Sequence, residues 1–292
     1  MSRDRQAAAK DKEFVDALAR GLAVIECFDE AHPQLSLSEV ARRANLTPAT
    51  ARRNLHTLAT LGYLRKVENQ FLLSARVLAL GSGYLRAAHV DDALMPELRR
   101  IVGLFGDAAS VAVLTGDDVL YVAHVSEQRG VRPMARIGVT YPAHATSLGR
   151  VLLAGLPPDA LDRYLAAAKL DKLTGATCTD RAQLRRLITT ARELGYATAV
   201  DQLAYGVTSL AVPIHGLHGE VVAAVNSSGY TGRLSIENLV EQRLDELRTA
   251  SRRIAQMLQR YPALYHSFPT GRAAAAEPPR RVLARPAGRR QS

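Results

Sequence analysis

Residues Ser36–Gly62 read SLSEVARRANLTPATARRNLHTLATLG, and the order of residue types along this stretch decides the fold of the N-terminal part. Ser36 and Glu39 stand at capping-box spacing. The hydroxyl accepts from the backbone N–H three residues on, and the carboxylate returns to the amide of the cap. The spacing predicts a short helix with Val40 and Ala44 inward and Arg42 and Arg43 outward. Asn45, which tolerates the left-handed conformation, stops it. Thr47–Pro48 starts a second helix, with Thr47 as N-cap and Pro48 in the first position, where a missing N–H does no harm. Ala51, Leu55, Leu58 and Leu61 recur with helical period and are expected to face the other helices, and Gly62 ends the run. Two capped helices across a three-residue turn at Asn45–Thr47 form a helix-turn-helix.

On the N-terminal side, Phe14, Leu18, Leu22 and Ile25 share one face of an earlier helix that ends near Asp29–Pro33. On the C-terminal side, Tyr63–Val67 and Gln70–Leu73 flank the polar Glu68–Asn69 and read as a hairpin, the wing of a winged helix-turn-helix. Ser74 can cap a further helix carrying Val77, Leu78, Leu80 and Leu85, weakened by Gly81 and Gly83. The composition shift at Ala87–Asp92 marks a domain boundary. The expected order is a flexible N-terminus at 1–12, a winged helix-turn-helix at 13–73 and a linker helix at 74–92.

Beyond residue 92 the pattern alternates. Helices are expected at 93–105, 148–154, 159–168, 180–194 and 235–260. Strands are expected at 110–114, 119–125, 198–200, 207–213 and 221–226, with a loop at 142–147. Residues 93–260 thus read as a second domain and the whole chain as α+β. Residues 261–292, with four consecutive alanines, five prolines and a basic excess, read as a flexible basic tail.

The chain has 292 residues and a formal charge of +10. Residues 1–80 hold 12 basic and 9 acidic side chains, residues 81–259 hold 19 and 18, and residues 260–292 hold 7 and 1. The excess at the ends points to an anionic partner touched by terminal parts and excludes a uniformly basic coat protein. Two cysteines exclude a disulfide scaffold and a four-cysteine metal site. No charge-free apolar run reaches membrane-spanning length and no secretory leader is apparent, so no membrane partner and a cytoplasmic location are expected.

Between Leu37 and Lys66 six basic residues stand against Glu39 alone. The second capped helix can expose Thr47, Pro48, Ala49, Thr50, Arg52, Arg53 and His56 from its first half while its leucines stay inside. Small Ala49 and the Thr50 hydroxyl permit close approach to a groove, and an arginine fork meets the two acceptors of guanine. Arg52 is assigned to base reading and Arg53 to a base or a phosphate. Arg65 and Lys66 on the hairpin would meet the flanking backbone or minor groove. The competing reading is a packing module whose arginines are merely solvated. The wing and the charge asymmetry favour double-stranded DNA.

No catalytic constellation is found: there is no G-x-S-x-G elbow, P-loop, H-E-x-x-H or dinucleotide fingerprint. His215 and His218 lie in a glycine-containing turn without a nearby cysteine or fixed carboxylate, so no metal is expected and no cofactor. A binding role fits better. The turn at Thr140–Gly149, just before a helix, offers hydroxyls and free N–H groups suited to an organic anion, here assigned to His144, Ala145, Thr146, Ser147, Leu148 and Gly149. Gly206, Thr208 and Ser209 supply a second edge. The same residues would also serve simply to cap and turn the chain.

Four stretches taken together resemble the IclR family of bacterial transcription regulators: ALARGLAVIECF at 17–28, LSEVARRANLTPATARRNLHTLATLGYL at 37–64, YPAHATSLGRVLLAGL at 141–156 and GYATAVDQLAYGVTSLAVPI at 195–214. The nearest subgroup controls catabolism of protocatechuate, p-hydroxybenzoate and the β-ketoadipate pathway. The resemblance implies a winged helix-turn-helix joined by a linker helix to a GAF-like effector domain. It also implies homodimers, often paired into tetramers, and a small carboxylic acid effector. The family's effector loop falls on Ala143–Gly149 and its second signature on Val200–Pro213, which adds Gln202 to the effector residues. One departure stands out: members carry an acidic run ending in Glu at the position of Gln202, where this chain has Val200–Asp201–Gln202. The tail beyond Tyr261 is outside the resemblance; it would attract phosphates nonspecifically or be inert. The expectation is a DNA-binding regulator responsive to a small, aromatic-pathway carboxylate. The alternatives are an enzyme built on the second domain and an architectural DNA-binding protein without an effector.

Overall fold

The structure, a computed structural model, describes residues 13–127, 135–232 and 235–269. The expected flexibility of 1–12 and of most of the tail falls outside these residues. The chain divides into two compact units between Tyr84 and Leu85.

In the first unit, α1 spans Asp16–Ile25, β1 Leu35–Ser36, α2 Leu37–Arg43, α3 Pro48–Thr60, β2 Leu64–Val67 and β3 Gln70–Leu73. The caps form as the sequence dictates. Ser36 Oγ accepts from the Glu39 amide, and Glu39 Oε2 accepts from the Ser36 amide at 2.8 Å. Asn45 takes φ 54° and Gly62 φ 80°, which stop α2 and α3. Thr47 Oγ1 accepts from the Thr50 amide at 3.3 Å, with Pro48 first in the helix. Strands β2 and β3 pair antiparallel from Leu64 opposite Leu73 to Val67 opposite Gln70. The two-residue β1, too short to leave a period in the sequence, pairs with β3 through Leu35 opposite Phe71. Val24, Leu35, Val40, Leu55, Leu58 and Leu64 close the core.

One expectation is corrected here. Leu61 is 51% exposed because it is the C-cap of α3, where the chain has already left the buried face. The face shared by Phe14, Leu18 and Leu22 is exposed to solvent, while Val24, followed by Cys27 and Phe28, packs inward. Ser74 caps a single 3-10 turn, Ala75–Val77, from which α4 (Leu78–Ala87) runs with Leu78 and Leu80 exposed.

The second unit contains α5 (Val90–Ala93), α6 (Met95–Phe105), β4 (Ala108–Thr115), β5 (Asp118–Ser126), β6 (Thr140–Pro142), α7 (Ser147–Ala154), α8 (Pro158–Ala167), α9 (Arg181–Leu194), β7 (Ala197–Val200), β8 (Val207–His215), β9 (Val221–Tyr230), α10 (Ile236–Arg260) and α11 (Pro262–Ser267). The strands form one antiparallel sheet in the order β6-β5-β4-β9-β8-β7. Segregated helices over an antiparallel sheet make this α+β. Bulky residues fill one face: Val111, Val113, Leu210, Val212, Ile214 and Val225 pack with the apolar stripe of α10 and with α6. The other face carries small residues, among them Ala112, Ala197, Ala211 and Ala224, beneath α7 and α9.

The loop expected at 142–147 is preceded by β6, which pairs with β5 and takes in Pro142; a 3-10 turn over Ala143–Ala145 then leads into α7. The tail expected from residue 261 also needs correction. Residues 262–267 form α11, with Leu264 fully buried, Phe268 4% exposed, and the Tyr265 hydroxyl donating to Glu220 at 2.5 Å. Two apolar anchors four residues apart suffice to hold a helical turn, too little for a periodicity to reveal.

Candidate functional site

The first unit presents a continuous free surface on α3. Thr47, Pro48, Ala49, Arg52, Arg53 and His56 are exposed and Thr50 is half-buried, while Ala51, Leu55 and Leu58 are held inside. Arg65 and Lys66 are exposed on β2. The side chains of Arg52, Arg53, His56, Arg65 and Lys66 have no hydrogen bond or ion pair among the described residues. Arg43 behaves differently. Its guanidinium donates to Asp29 Oδ2 at 2.6 Å and to the Cys27 carbonyl at 3.0 Å, and it meets His32 Nδ1 at 3.1 Å, so it ties α2 to the segment after α1. Burial raises the Asp29 carboxyl, but the His32 hydrogen bond and the Arg43 charge outweigh it and hold it below its ordinary value. A cationic helix face free of protein partners, beside a basic hairpin, is what a DNA groove requires.

In the second unit a cavity of ≈ 130 Å³ opens on the small-residue face of the sheet. That is close to the roughly 150 Å³ that accepts one benzene ring, and far below what a dinucleotide needs. The sheet register builds its floor. His124, Ser110 and Asn226 stand opposite one another on β5, β4 and β9, and Ser228 and Ser209 pair in the next row across β9 and β8. Ser110 Oγ lies 3.0 Å from His124 Nδ1, and burial lowers the His124 pKa, which keeps the ring neutral. Asn226 is 4% exposed and lines the cavity, yet its side-chain oxygen has no partner among the described residues. A register shift between Val111 and Ala112 places Tyr121 opposite Ala112, so Tyr121 and His124, three residues apart, both reach the cavity. Tyr121 and Tyr141 meet edge to face at 5.5 Å on its wall.

The first turn of α7 closes the cavity from the other side. Thr146 caps the helix by accepting from the Gly149 amide at 2.9 Å, and Ser147 Oγ donates to Ser209 Oγ at 2.8 Å. The amides of Ser147 and Leu148 precede the first intrahelical bond, so the positive end of α7 points here. Gln202 lines the cavity within a tightly held loop. Its Oε1 accepts from Arg150 Nη2 at 2.7 Å and from the Cys178 amide at 2.9 Å, and its Nε2 donates to the Ala176 carbonyl at 2.6 Å. Asp201, at φ 53°, accepts from the Gly206 amide at 2.7 Å and from Thr231 at 3.0 Å.

Of the effector residues expected from sequence, Ala145, Thr146, Ser147, Gln202, Gly206 and Ser209 line one cavity. The other four do not. His144 is 1% exposed and its Nε2 donates to the Asp171 carbonyl at 3.1 Å. Leu148 is fully buried in the core beneath α7. Gly149 faces the Ala143 backbone so closely that any side chain would collide with it. Thr208 alternates with Ser209 along β8 and lies on the opposite face. Ser110, Tyr121, His124 and Asn226 also line the cavity and are not among the residues expected from sequence. The available signal was a polar residue within otherwise apolar strands, Ser110 in AASVAVLT and Asn226 in VVAAVNSSGY.

A winged helix-turn-helix with an exposed cationic helix face, carried on the same chain as a cavity-bearing α+β unit, defines a DNA-binding transcriptional regulator. The chain belongs to the IclR family: residues 17–68 match the IclR helix-turn-helix domain and residues 82–256 the bacterial transcriptional regulator IclR C-terminal domain. It is 36% identical over 254 residues to the Pca regulon regulatory protein of Pseudomonas putida, covering 87% of each chain. A transcriptional regulator from Rhodococcus sp. RHA1 of known structure is 42% identical, with a TM-score of 0.72, over 85% of this chain and 99% of that one. An IclR homologue from Microbacterium hydrocarbonoxydans, solved in complex with 4-hydroxybenzoate, is 30% identical with a TM-score of 0.69, over 84% and 100%.

Proposed function

We propose that this regulator reads its operator with Thr47, Pro48, Ala49, Thr50, Arg52, Arg53 and His56 of α3, with Arg65 and Lys66 of the wing on the flanking backbone. The supporting observation is the contrast between Arg43, fully engaged within the protein, and Arg52, which has no partner among the described residues. We divide the chain accordingly into a DNA-binding part at 13–73, a linker at 74–92 and an effector part at 93–260. One short helix buries too little surface for tight specific binding, so a homodimer on two half-sites one helical turn (about 34–36 Å) or a small multiple of it apart is the physical expectation. The exposed Phe14 just before α1, Leu18 and Leu22 of α1, and Leu78 and Leu80 of α4 supply apolar surface for the second copy.

The effector we infer is a single-ring hydroxylated carboxylic acid. The observation carrying this is a cavity of one-ring size with two kinds of polar group: the α7 N-terminus with Ser147 and Ser209 for a carboxylate, and the Ser110–His124–Asn226 row, with its unsatisfied amide oxygen, for a hydroxyl. The complex of the Microbacterium homologue with 4-hydroxybenzoate supports the same chemistry. The acid must bind one arrangement of the DNA-binding heads more tightly than another to change operator affinity. A mobility-shift titration on the DNA upstream of the protein's own coding sequence, with and without 4-hydroxybenzoate, tests the reading. A retarded complex whose midpoint moves with the acid supports it, and a midpoint indifferent to every single-ring acid rejects the effector assignment.

A further inference from the structure

Arg150 is the buried charge for which the described residues supply no counter-charge. It is 5% exposed, one turn into α7. Its guanidinium donates to the Thr198 carbonyl at 2.9 Å, to Gln202 Oε1 at 2.7 Å and to the His144 carbonyl at 3.4 Å. All three acceptors are neutral, and Arg150 has no carboxylate partner among the described residues. The comparison within the same unit is instructive. Arg243, 3% exposed on α10, pairs with Asp107 at 2.5 Å. Buried arginines remain protonated, and a buried charge that is hydrogen-bonded but unpaired is disfavoured until an anion approaches.

The neutral Gln202 stands between this charge and the cavity. Gln202 is among the lining residues and carries on its side-chain oxygen the Arg150 contact, while no Asp, Glu, Lys or Arg lies among the described lining residues. A glutamate at 202 would have the same shape and would neutralise Arg150 internally. With glutamine, the positive field of Arg150 and of the α7 N-terminus reaches into an uncharged cavity across a single side chain.

We propose that the effector's carboxylate serves as the counter-ion of Arg150, and that the Arg150–Gln202 pair is the specificity device that selects an anion over a neutral molecule of the same shape. This rests on the proposed effector and assigns it a determinant outside the cavity wall. Arg150 acts through Gln202 and the field, so it is a positioning and electrostatic residue and not a direct ligand contact.

Calorimetric titration of the full-length protein with 4-hydroxybenzoate and with 4-hydroxybenzamide tests it, since the two differ in charge and little in size. The wild type is expected to bind the acid at least tenfold more tightly than the amide. Gln202→Glu is expected to narrow that ratio at least tenfold, because Arg150 then has an internal counter-charge; it also removes the donor to the Ala176 carbonyl, so folding is followed by its melt. Arg150→Met, with folding followed in the same way, is expected to narrow the ratio as well, and serves if the first variant misfolds. An acid-to-amide ratio unchanged in a folded variant, or equal binding of both molecules by the wild type, overturns the proposal while leaving the cavity as the effector site. Absence of binding by either molecule to the wild type overturns the effector reading and the proposal together.

Discussion

Ser147 on the first turn of α7 and Ser209 on β8 are joined by a hydrogen bond of 2.8 Å across 62 residues of sequence. The bond fixes the positive end of the helix against the sheet at the edge of the cavity, and because Ser147 spends its proton on it, the Ser209 proton is the one left for a carboxylate. Ser147→Ala removes the donor that orients the Ser209 hydroxyl and is expected to weaken binding of 4-hydroxybenzoate about tenfold. Isothermal titration checks this, and an unchanged dissociation constant would remove Ser147 from the carboxylate subsite.

Arg42 and Arg43 are neighbours with opposite duties. Arg43 holds Asp29, His32 and the Cys27 carbonyl, whereas the Arg42 side chain has no hydrogen bond or ion pair among the described residues. Arg43→Ala is expected to destabilise the N-terminal unit by about 1–3 kcal/mol, the loss of a charge-assisted bond with its acceptor left behind, and Arg42→Ala by less than about 0.5 kcal/mol. The Asp29 carboxyl sits below its ordinary value, so its contribution is present at neutral pH and is lost as pH falls through the folded value. Chemical denaturation of both variants, followed from pH 7 downward, separates the two roles. The Arg43 effect is expected to persist at pH 4 and to shrink only as pH falls below the ordinary carboxyl value of 3.8.

At the β4–β5 turn, burial and the neighbouring Asp117 charge push the Asp118 carboxyl up to about 6. The folded chain therefore keeps a proton that the unfolded chain releases near its ordinary value of 3.8. Between those values the folded state binds more protons, so this group favours folding at low pH and costs stability above pH 6. Asp118→Asn is accordingly expected to raise the melting temperature at pH 7.5 and to change it little at pH 4. A gain of equal size at both values would assign the effect to packing instead of charge.

How much of the structure was legible in the sequence depends on the range of the interactions. The capping box of Ser36 and Glu39, the left-handed Asn45 and the Thr47–Pro48 start depend on residues within four positions of one another, and each forms as read. The cavity was legible only along α7 and the Gln202–Ser209 edge. Its floor depends on which residues face one another across three strands and on the register shift beside Val111, and no local pattern encodes that. The orientation of α1 is not encoded locally for a related reason: Leu18 and Leu22 form an apolar stripe, but the rest of the unit buries Val24. The helix Pro262–Ser267 was hidden by its brevity and by the run of alanines and prolines on its C-terminal side.

The central claim is that the outward half of α3 reads base edges, with Arg52 as the principal reader. Fluorescence anisotropy of the full-length protein with a labelled duplex from its own upstream region, against a scrambled duplex of the same composition, tests this directly when wild type and Arg52→Ala are compared at one fixed salt concentration. The account predicts a strong preference of the wild type for the upstream duplex. The variant should lose roughly 1–3 kcal/mol of that preference for each half-site while binding the scrambled duplex nearly as before. Equal discrimination by wild type and variant, with both folded, would contradict it.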